Sequence, residues 1–235
     1  MDGILKHITW LLVVSVSASL LPMAAALRAR VPLRTDPAGQ VGLAWLVLGG
    51  CSVLQTVSAP FGARVMFWET ALTIVLLPLV LLPPFLTWIG ERAKRLQPAL
   101  FACTVGAGAL GLAAIGPGRP FQIVAHPLMS ALMAIVVLLA MRAQAVRHAA
   151  LEWDADPLRR GWPWISGGHL VYFLSSVLWF PLMETLVPRD WNAVVSVNRA
   201  MMLLHATTMV AIAHGIARHG VHAAATARAP MATAA

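Results

Sequence analysis

Long apolar runs separated by short polar connections dominate the chain from residue 8 to residue 217. A helix needs about 20 mostly apolar residues to cross about 30 Å of hydrocarbon. We predict an all-α fold, a polytopic membrane protein built as a seven-transmembrane-helix bundle, with spans over residues 8–27, 41–58, 69–89, 98–116, 123–141, 165–187 and 196–217.

The two ends of the chain carry different patterns. The first apolar run is longer than that of a signal peptide, and Leu27-Arg28-Ala29-Arg30 is a poor cleavage site, so we predict a retained helix. Residues 218–235 are rich in alanine and have no apolar periodicity. We therefore predict a membrane domain over residues 1–217 and a disordered tail over residues 218–235.

The positive charges alternate between the connections. Twelve of the 17 Lys and Arg residues lie in the first, third and fifth loops and the tail, and five lie in the N-terminus and the even-numbered loops. Cytoplasmic loops of membrane proteins carry the excess of positive charge. The alternation therefore predicts an extracytoplasmic N-terminus and a cytoplasmic C-terminus, and an odd number of spans satisfies that arrangement.

The composition agrees with a membrane protein. Hydrophobic residues make up 59% of the chain and charged residues 11%, against about 45–50% and about 25% in soluble domains. This excludes a soluble enzyme, a disordered chain and a disulfide-rich secreted module. The net charge of +8 comes from dispersed cations, so we predict membrane lipid as a partner and no nucleic acid.

Several motifs that suggest known chemistry fail in their context. Gly106-x-Gly108-x-x-Gly111 matches a dinucleotide fingerprint but lies inside an apolar span, where small residues let helices approach closely. A retinal protein needs a lysine inside a span, and Lys6 and Lys94 both lie at membrane edges. No acidic residue lies deep in a span to complete a hydrolytic triad. We predict no enzyme activity.

Histidine and methionine remain as candidate functional residues. The fifth predicted span places His126, Met129 and Met133 on one face, and the seventh does the same with a second group: Met201, Met202, His205 and Met209. With the third-span residue Met66, most of these lie in the predicted extracytoplasmic half. His169 of the sixth span lies towards the cytoplasm, which argues against its joining His126 and His205 at one centre.

Thioether and imidazole ligands together suit monovalent copper, and imidazole pairs also suit haem iron as a weaker alternative. The candidate metal ligands are His126, His169, His205, Met129, Met201, Met202 and Met66. Methionine is also a common core filler, so packing is the competing explanation for the methionines. An ionisable side chain inside a span is a functional candidate by default, which favours the histidines.

Three groups of segments carry a family resemblance. Around the third predicted span the segments are Ser58-Ala59-Pro60, Val65 to Thr70, Leu77-Pro78 and Leu82-Pro83-Pro84. The fifth predicted span opens with Ala125-His126-Pro127-Leu128. The sixth contains Gly168-His169, Phe173-Leu174 and Leu178 to Leu182, and the seventh contains Arg199 to Ala206. In these segments the chain resembles the CtaG-type cytochrome c oxidase assembly factors, which are seven-span bacterial membrane proteins. The resemblance covers residues 41–217.

The chain also departs from that family. The family usually opens its third span with two histidines four residues apart, whereas this chain reads Val65-Met66-Phe67-Trp68-Glu69-Thr70. The family also tends to place a histidine before a proline at the end of its fifth span, where this chain reads Met141-Arg142-Ala143. The resemblance therefore implies a divergent member in which Met66, Glu69 or Met141 substitutes for the missing ligands, or which has lost metal handling.

The leading hypothesis is an assembly factor for a haem-copper cytochrome oxidase in the bacterial inner membrane, presenting Cu(I) from the extracytoplasmic side. Its histidines would be ligands or would orient ligands, and its protein partners would be oxidase subunits. The alternative is a non-catalytic accessory subunit of a respiratory or photosynthetic membrane complex, which the missing third-span histidines favour. A small-solute transporter or membrane sensor is the third hypothesis, and the lack of a buried charged pathway counts against it.

Overall fold

The computed structural model describes residues 2–58, 63–115, 119–150, 160–186 and 191–232. In these ranges the chain forms only helices, seven long and one of a single turn. Their bounds are α1 Asp2–Arg28, α2 Pro37–Ser58, α3 Ala63–Ile89, α4 Glu91–Lys94, α5 Gln97–Ile115, α6 Arg119–Ala150, α7 Gly161–Leu186 and α8 Trp191–Ala232. The prediction of an all-α chain is confirmed.

Each predicted span falls on one of the long helices. By length and hydropathy, three stretches of the described residues are sufficient to cross a membrane: Pro37–Leu54, His126–Arg147 and Asn192–Val221. Val13–Arg28 and Val75–Ile89 are shorter apolar stretches. The chain therefore has the character of a membrane protein, while the number of seven spans and their orientation stay predictions.

The long helices surround a common interior. In chain order, α1 packs against α2, α2 against α3, α3 against α6, α6 against α7, α7 against α8, and α8 returns to α1. This closes a ring of six helices, and α5 lies against α3 and α6. Because all six helices of this ring border the same interior, side chains far apart in sequence meet there.

The outer surface of the ring is apolar. Large aliphatic side chains point outward from several helices, and these include Val13, Leu138, Leu178, Leu203 and Val210. Such a surface would be unfavourable in water but is compatible with lipid contact.

The contact between α7 and α8 depends on glycine. A Cβ atom built on Gly215 would lie 2.6 Å from the carbonyl oxygen of Gly161 and 2.7 Å from Cγ1 of Ile165. These distances are below van der Waals contact, so only glycine allows the two helices to approach this closely.

The start of α2 is tied to α8. Asp36 accepts a hydrogen bond from the backbone N–H of Ala38 at 2.8 Å, and its other carboxylate oxygen lies 2.9 Å from Nε2 of His219. Burial raises the pKa of the Asp36 carboxyl, but the hydrogen bond and charge of His219 and the nearby amides of Ala38 and Gly39 outweigh burial and hold the pKa below its ordinary value of 3.8.

α8 is longer than the seventh predicted span. It continues to Ala232, through the alanine-rich segment for which the sequence predicted a disordered tail. Alanine has the highest intrinsic helix propensity, so composition alone does not oppose this extension. The assignment of a membrane domain that ends at residue 217 stays a prediction.

Candidate functional site

A hydrogen bond between two buried rings lies at the centre of the helical ring. Nε1 of Trp45 on α2 donates to Nε2 of His169 on α7 at 2.9 Å. Trp45 is 2% exposed and His169 is fully buried. Because the two residues are 124 positions apart, this bond joins two helices that are distant in the sequence.

The second ring nitrogen of His169 is also used. Nδ1 of His169 lies 2.7 Å from the carbonyl oxygen of Ile165, one turn earlier on α7. A carbonyl oxygen only accepts and an indole N–H only donates, so Nδ1 carries the proton and Nε2 the lone pair. The imidazole is neutral in this arrangement, and both of its nitrogens are occupied by protein groups.

Aromatic contacts connect this histidine to a second one. The Trp45 ring lies 5.0 Å from Tyr172 in an edge-to-face arrangement and 5.8 Å from His205 of α8, measured between ring centroids. Tyr172 and His205 are themselves 5.5 Å apart, and Phe85 of α3 lies 5.0 Å from His169. We call Trp45, Phe85, His169, Tyr172 and His205 the aromatic–histidine cluster.

A serine on α1 contacts His205. Oγ of Ser19 donates to the carbonyl oxygen of Ser15 at 2.8 Å and lies 3.4 Å from Nε2 of His205. Within the described residues this is the one polar contact of the His205 ring, and it is long for a hydrogen bond. In that part of the chain, neither ring nitrogen of His205 is therefore held by a short hydrogen bond of the kind that occupies Nε2 of His169.

Two candidate methionines accompany His205. Met201 and Met202 precede it on α8 by four and three residues, and all three side chains are half-buried. Residues at these spacings lie on one face of a helix. One face of α8 therefore presents two thioethers and one imidazole, as the spacing predicted.

His126 belongs to a different part of the molecule. It is buried on α6 with Met129, and its Nδ1 lies 3.4 Å from Oγ of Ser130. Across the described ranges, no three His, Cys, Asp or Glu side chains come close enough together to hold a metal ion. The three candidate histidines therefore do not meet at one centre. Met66 lies among the α3 residues whose side chains fall outside the described part of the structure.

The sequence analysis did not select three members of the cluster, namely Trp45, Phe85 and Tyr172, nor Ser19, which contacts His205. One signal was present in the sequence: Tyr172 is the only tyrosine of the chain and follows His169 by three residues inside a predicted span. Tryptophan and tyrosine usually lie at membrane edges, so a Trp or Tyr well inside a span indicates a buried hydrogen-bond partner.

Comparisons with known proteins add no further assignment. No family model matches the chain, and neither a curated protein nor a solved structure matches it.

Proposed function

We propose that this chain is a multi-pass protein of the bacterial inner membrane that assists the assembly of a haem-copper cytochrome oxidase. It would catalyse no reaction and would pass Cu(I) to the oxidase at the extracytoplasmic side. The observation that carries the proposal is the donor set on α8, where Met201 and Met202 accompany an imidazole that no short hydrogen bond holds among the described residues.

This donor set fits monovalent copper better than a harder cation. Thioether sulfur is a soft ligand that selects Cu(I), and imidazole also binds copper. The three residues occupy little more than one helical turn, and their half-burial leaves them in contact with an apolar environment. Copper bound here would supply a monovalent ion for transfer to the oxidase.

The fit differs among the three histidines. His205 makes one polar contact of 3.4 Å within the described residues, whereas the lone pair of His169 accepts the hydrogen bond of Trp45 at 2.9 Å. We therefore assign His169 a positioning role, in which it holds Trp45 against the ring of His205. His126 and Met129 on α6 are a second imidazole–thioether pair and a further candidate for copper.

The family resemblance supports the same proposal from the sequence. The segments around His126, His169 and His205 resemble the CtaG-type assembly factors. The absence of the histidine pair at the start of the third span moves the expected copper ligands onto α8 and α6.

Copper binding by the purified protein tests the proposal. We would titrate the full-length protein in detergent with Cu(I), under reducing conditions and against a chromophoric Cu(I) chelator. We expect His205→Phe and Met201→Leu/Met202→Leu each to weaken binding by about tenfold or more, a change that corresponds to about 1.4 kcal/mol. Met23→Leu is the matched control because Met23 is a half-buried methionine of α1 that belongs to none of the candidate groups.

The role in assembly needs a separate experiment in cells. We expect deletion of the gene to lower the copper content and activity of the oxidase, and His205→Phe to fail to restore them. Normal, copper-loaded oxidase in the deletion strain would contradict the proposed role.

A permanent accessory subunit is the second candidate. The observation that favours it is the complete internal hydrogen bonding of His169, which gives this histidine a role in holding helices together. Stoichiometric co-migration with a respiratory or photosynthetic complex in mild detergent would support a subunit, and separation from the mature complex would support an assembly factor.

A further inference from the structure

An outward-facing cavity of about 320 Å³ lies between α2 and α3. Its apolar walls include Leu43 and Val47 of α2 and Leu79 and Pro83 of α3. Leu79 is 46% exposed, and Leu43 and Val47 are also exposed, so the cavity opens to the outside of the helical ring. The volume is at the lower end of the range of small-ligand sites, about 300–1,000 Å³.

A cation and an unsatisfied amide lie at one end of this cavity. Arg34, in the connection before α2, lines the cavity and is exposed. Nε2 of Gln40 donates to the carbonyl oxygen of Arg34 at 2.8 Å, which fixes the backbone position of the cation. Oε1 of Gln40 is buried and has no hydrogen-bond partner among the described residues. The lining therefore offers a positive charge and a hydrogen-bond acceptor above an apolar groove.

A second groove adjoins the first. A cavity of about 240 Å³ lies between α3 and α5 and is lined by Leu79, Leu82 and Phe101 with Lys94. Leu79 lines both cavities and forms the ridge between them. Nζ of Lys94 is 2.6 Å from Glu91, so its charge is partly neutralised and Arg34 is the stronger anion site of the two.

The first groove runs along part of one leaflet of a bilayer. Its α2 lining extends from Gln40 to Val47, which is seven residues or about 10 Å at 1.5 Å per residue. Half of a hydrocarbon core of about 30 Å is about 15 Å, so the groove can hold the upper part of an acyl chain. The groove therefore follows the path of an acyl chain, with the cation at the membrane surface.

We propose that Arg34 and the two grooves form a binding site for an anionic phospholipid with a hydroxyl group in its head, such as phosphatidylglycerol. Arg34 binds the phosphate, the head-group hydroxyl donates to Oε1 of Gln40, and the acyl chains lie on the two sides of Leu79. The alternation of charges places Arg34 at the cytoplasmic surface, where anionic lipids attract cations. This proposal is independent of copper handling.

Lipid titration of the full-length protein tests the site. We would measure binding by native mass spectrometry in detergent with phosphatidylglycerol, phosphatidylcholine, phosphatidylmethanol and glycerol 3-phosphate. We expect phosphatidylglycerol to bind at least about tenfold more tightly than phosphatidylcholine and Arg34→Gln to abolish that preference, a change of about 1.4 kcal/mol. Val47→Trp, which fills the groove, should weaken binding of every lipid.

Arg28→Gln is the matched control, because Arg28 carries the same charge at the end of α1 and does not line either cavity. Wild-type phosphatidylglycerol binding by Arg34→Gln would overturn the proposal. Equal affinity for glycerol 3-phosphate and phosphatidylglycerol would also overturn it, since the grooves would then contribute nothing. Equal binding of phosphatidylmethanol, which has no head-group hydroxyl, would refute the contact with Gln40.

Discussion

Replacing Trp45 with phenylalanine tests the hydrogen bond at the centre of the aromatic–histidine cluster. Phenylalanine keeps an aromatic ring against Tyr172 and His205 but removes the indole N–H. The lone pair on Nε2 of His169 would then lose its donor 2.9 Å away, inside a site that water does not reach. The substitution also leaves space because phenylalanine is smaller than tryptophan.

The magnitude follows from these two losses. A buried acceptor without a partner costs about 1–3 kcal/mol in water-soluble proteins. Hydrogen bonds between membrane helices couple more weakly, with an average of about 0.6 kcal/mol and a maximum of about 1.7 kcal/mol. Adding the loss of ring contacts, we expect Trp45→Phe to lower the free energy of unfolding by about 2 kcal/mol.

The assay is unfolding by a denaturing detergent in mixed micelles, followed by circular dichroism because the substitution itself changes tryptophan fluorescence. Trp88→Phe is the matched control, since Trp88 of α3 is also buried and packs against Phe85. We expect Trp88→Phe to lower the free energy of unfolding only through the loss of ring contacts. A double-mutant cycle with His169→Phe should give a coupling energy of about 0.6–1.7 kcal/mol.

Two results would refute this reasoning. A coupling energy indistinguishable from zero would mean that the Trp45–His169 bond does not stabilise the fold. Equal destabilisation by Trp45→Phe and Trp88→Phe would mean that only ring volume matters. Either outcome would remove the positioning role that we assign to His169.

The remaining predictions concern helix contacts at the ends and sides of the bundle. Because the pKa of Asp36 is lowered in the folded protein, its stabilising effect is present above its ordinary pKa of 3.8 and is lost as the pH falls through the lower, folded value. Unfolding measured from pH 6 to pH 3 should therefore show a difference between wild type and Asp36→Asn that shrinks at the acid end; a constant difference would contradict the role of the carboxylate charge. Gly215→Ala should lower the free energy of unfolding because it separates α7 from α8. The control Gly167→Ala, at a position with open space, should leave the free energy of unfolding unchanged or raise it by up to about 1 kcal/mol. Equal effects of the two substitutions in the same assay would contradict the close approach of the two helices.

The sequence predicted the helical elements well because each apolar run is long enough to form a helix of several turns. Each of the seven apolar segments overlaps one long helix, and the same-face spacing of Met201, Met202 and His205 follows from helix geometry alone. These features depend on residues close together in the chain. Periodicity and length determine them before any tertiary contact forms.

The local sequence pattern could not predict which residues contact the buried histidines. His169 and His205 were expected at different depths, yet Trp45 contacts both of them from α2. The polar contact of His205 is with Ser19 of α1, which is 186 residues away. Hydrogen-bond partners of this kind are set by which helices are neighbours in the ring.

The sequence by itself therefore determined a helical, apolar chain with membrane character and the faces on which its imidazoles and thioethers lie. Only the tertiary structure decided that the lone pair of His169 is occupied by Trp45, while His205 has a single longer contact with Ser19 among the described residues. The physical reason is that a helix forms from contacts three and four residues apart, whereas the state of a buried imidazole depends on donors and acceptors brought by other helices.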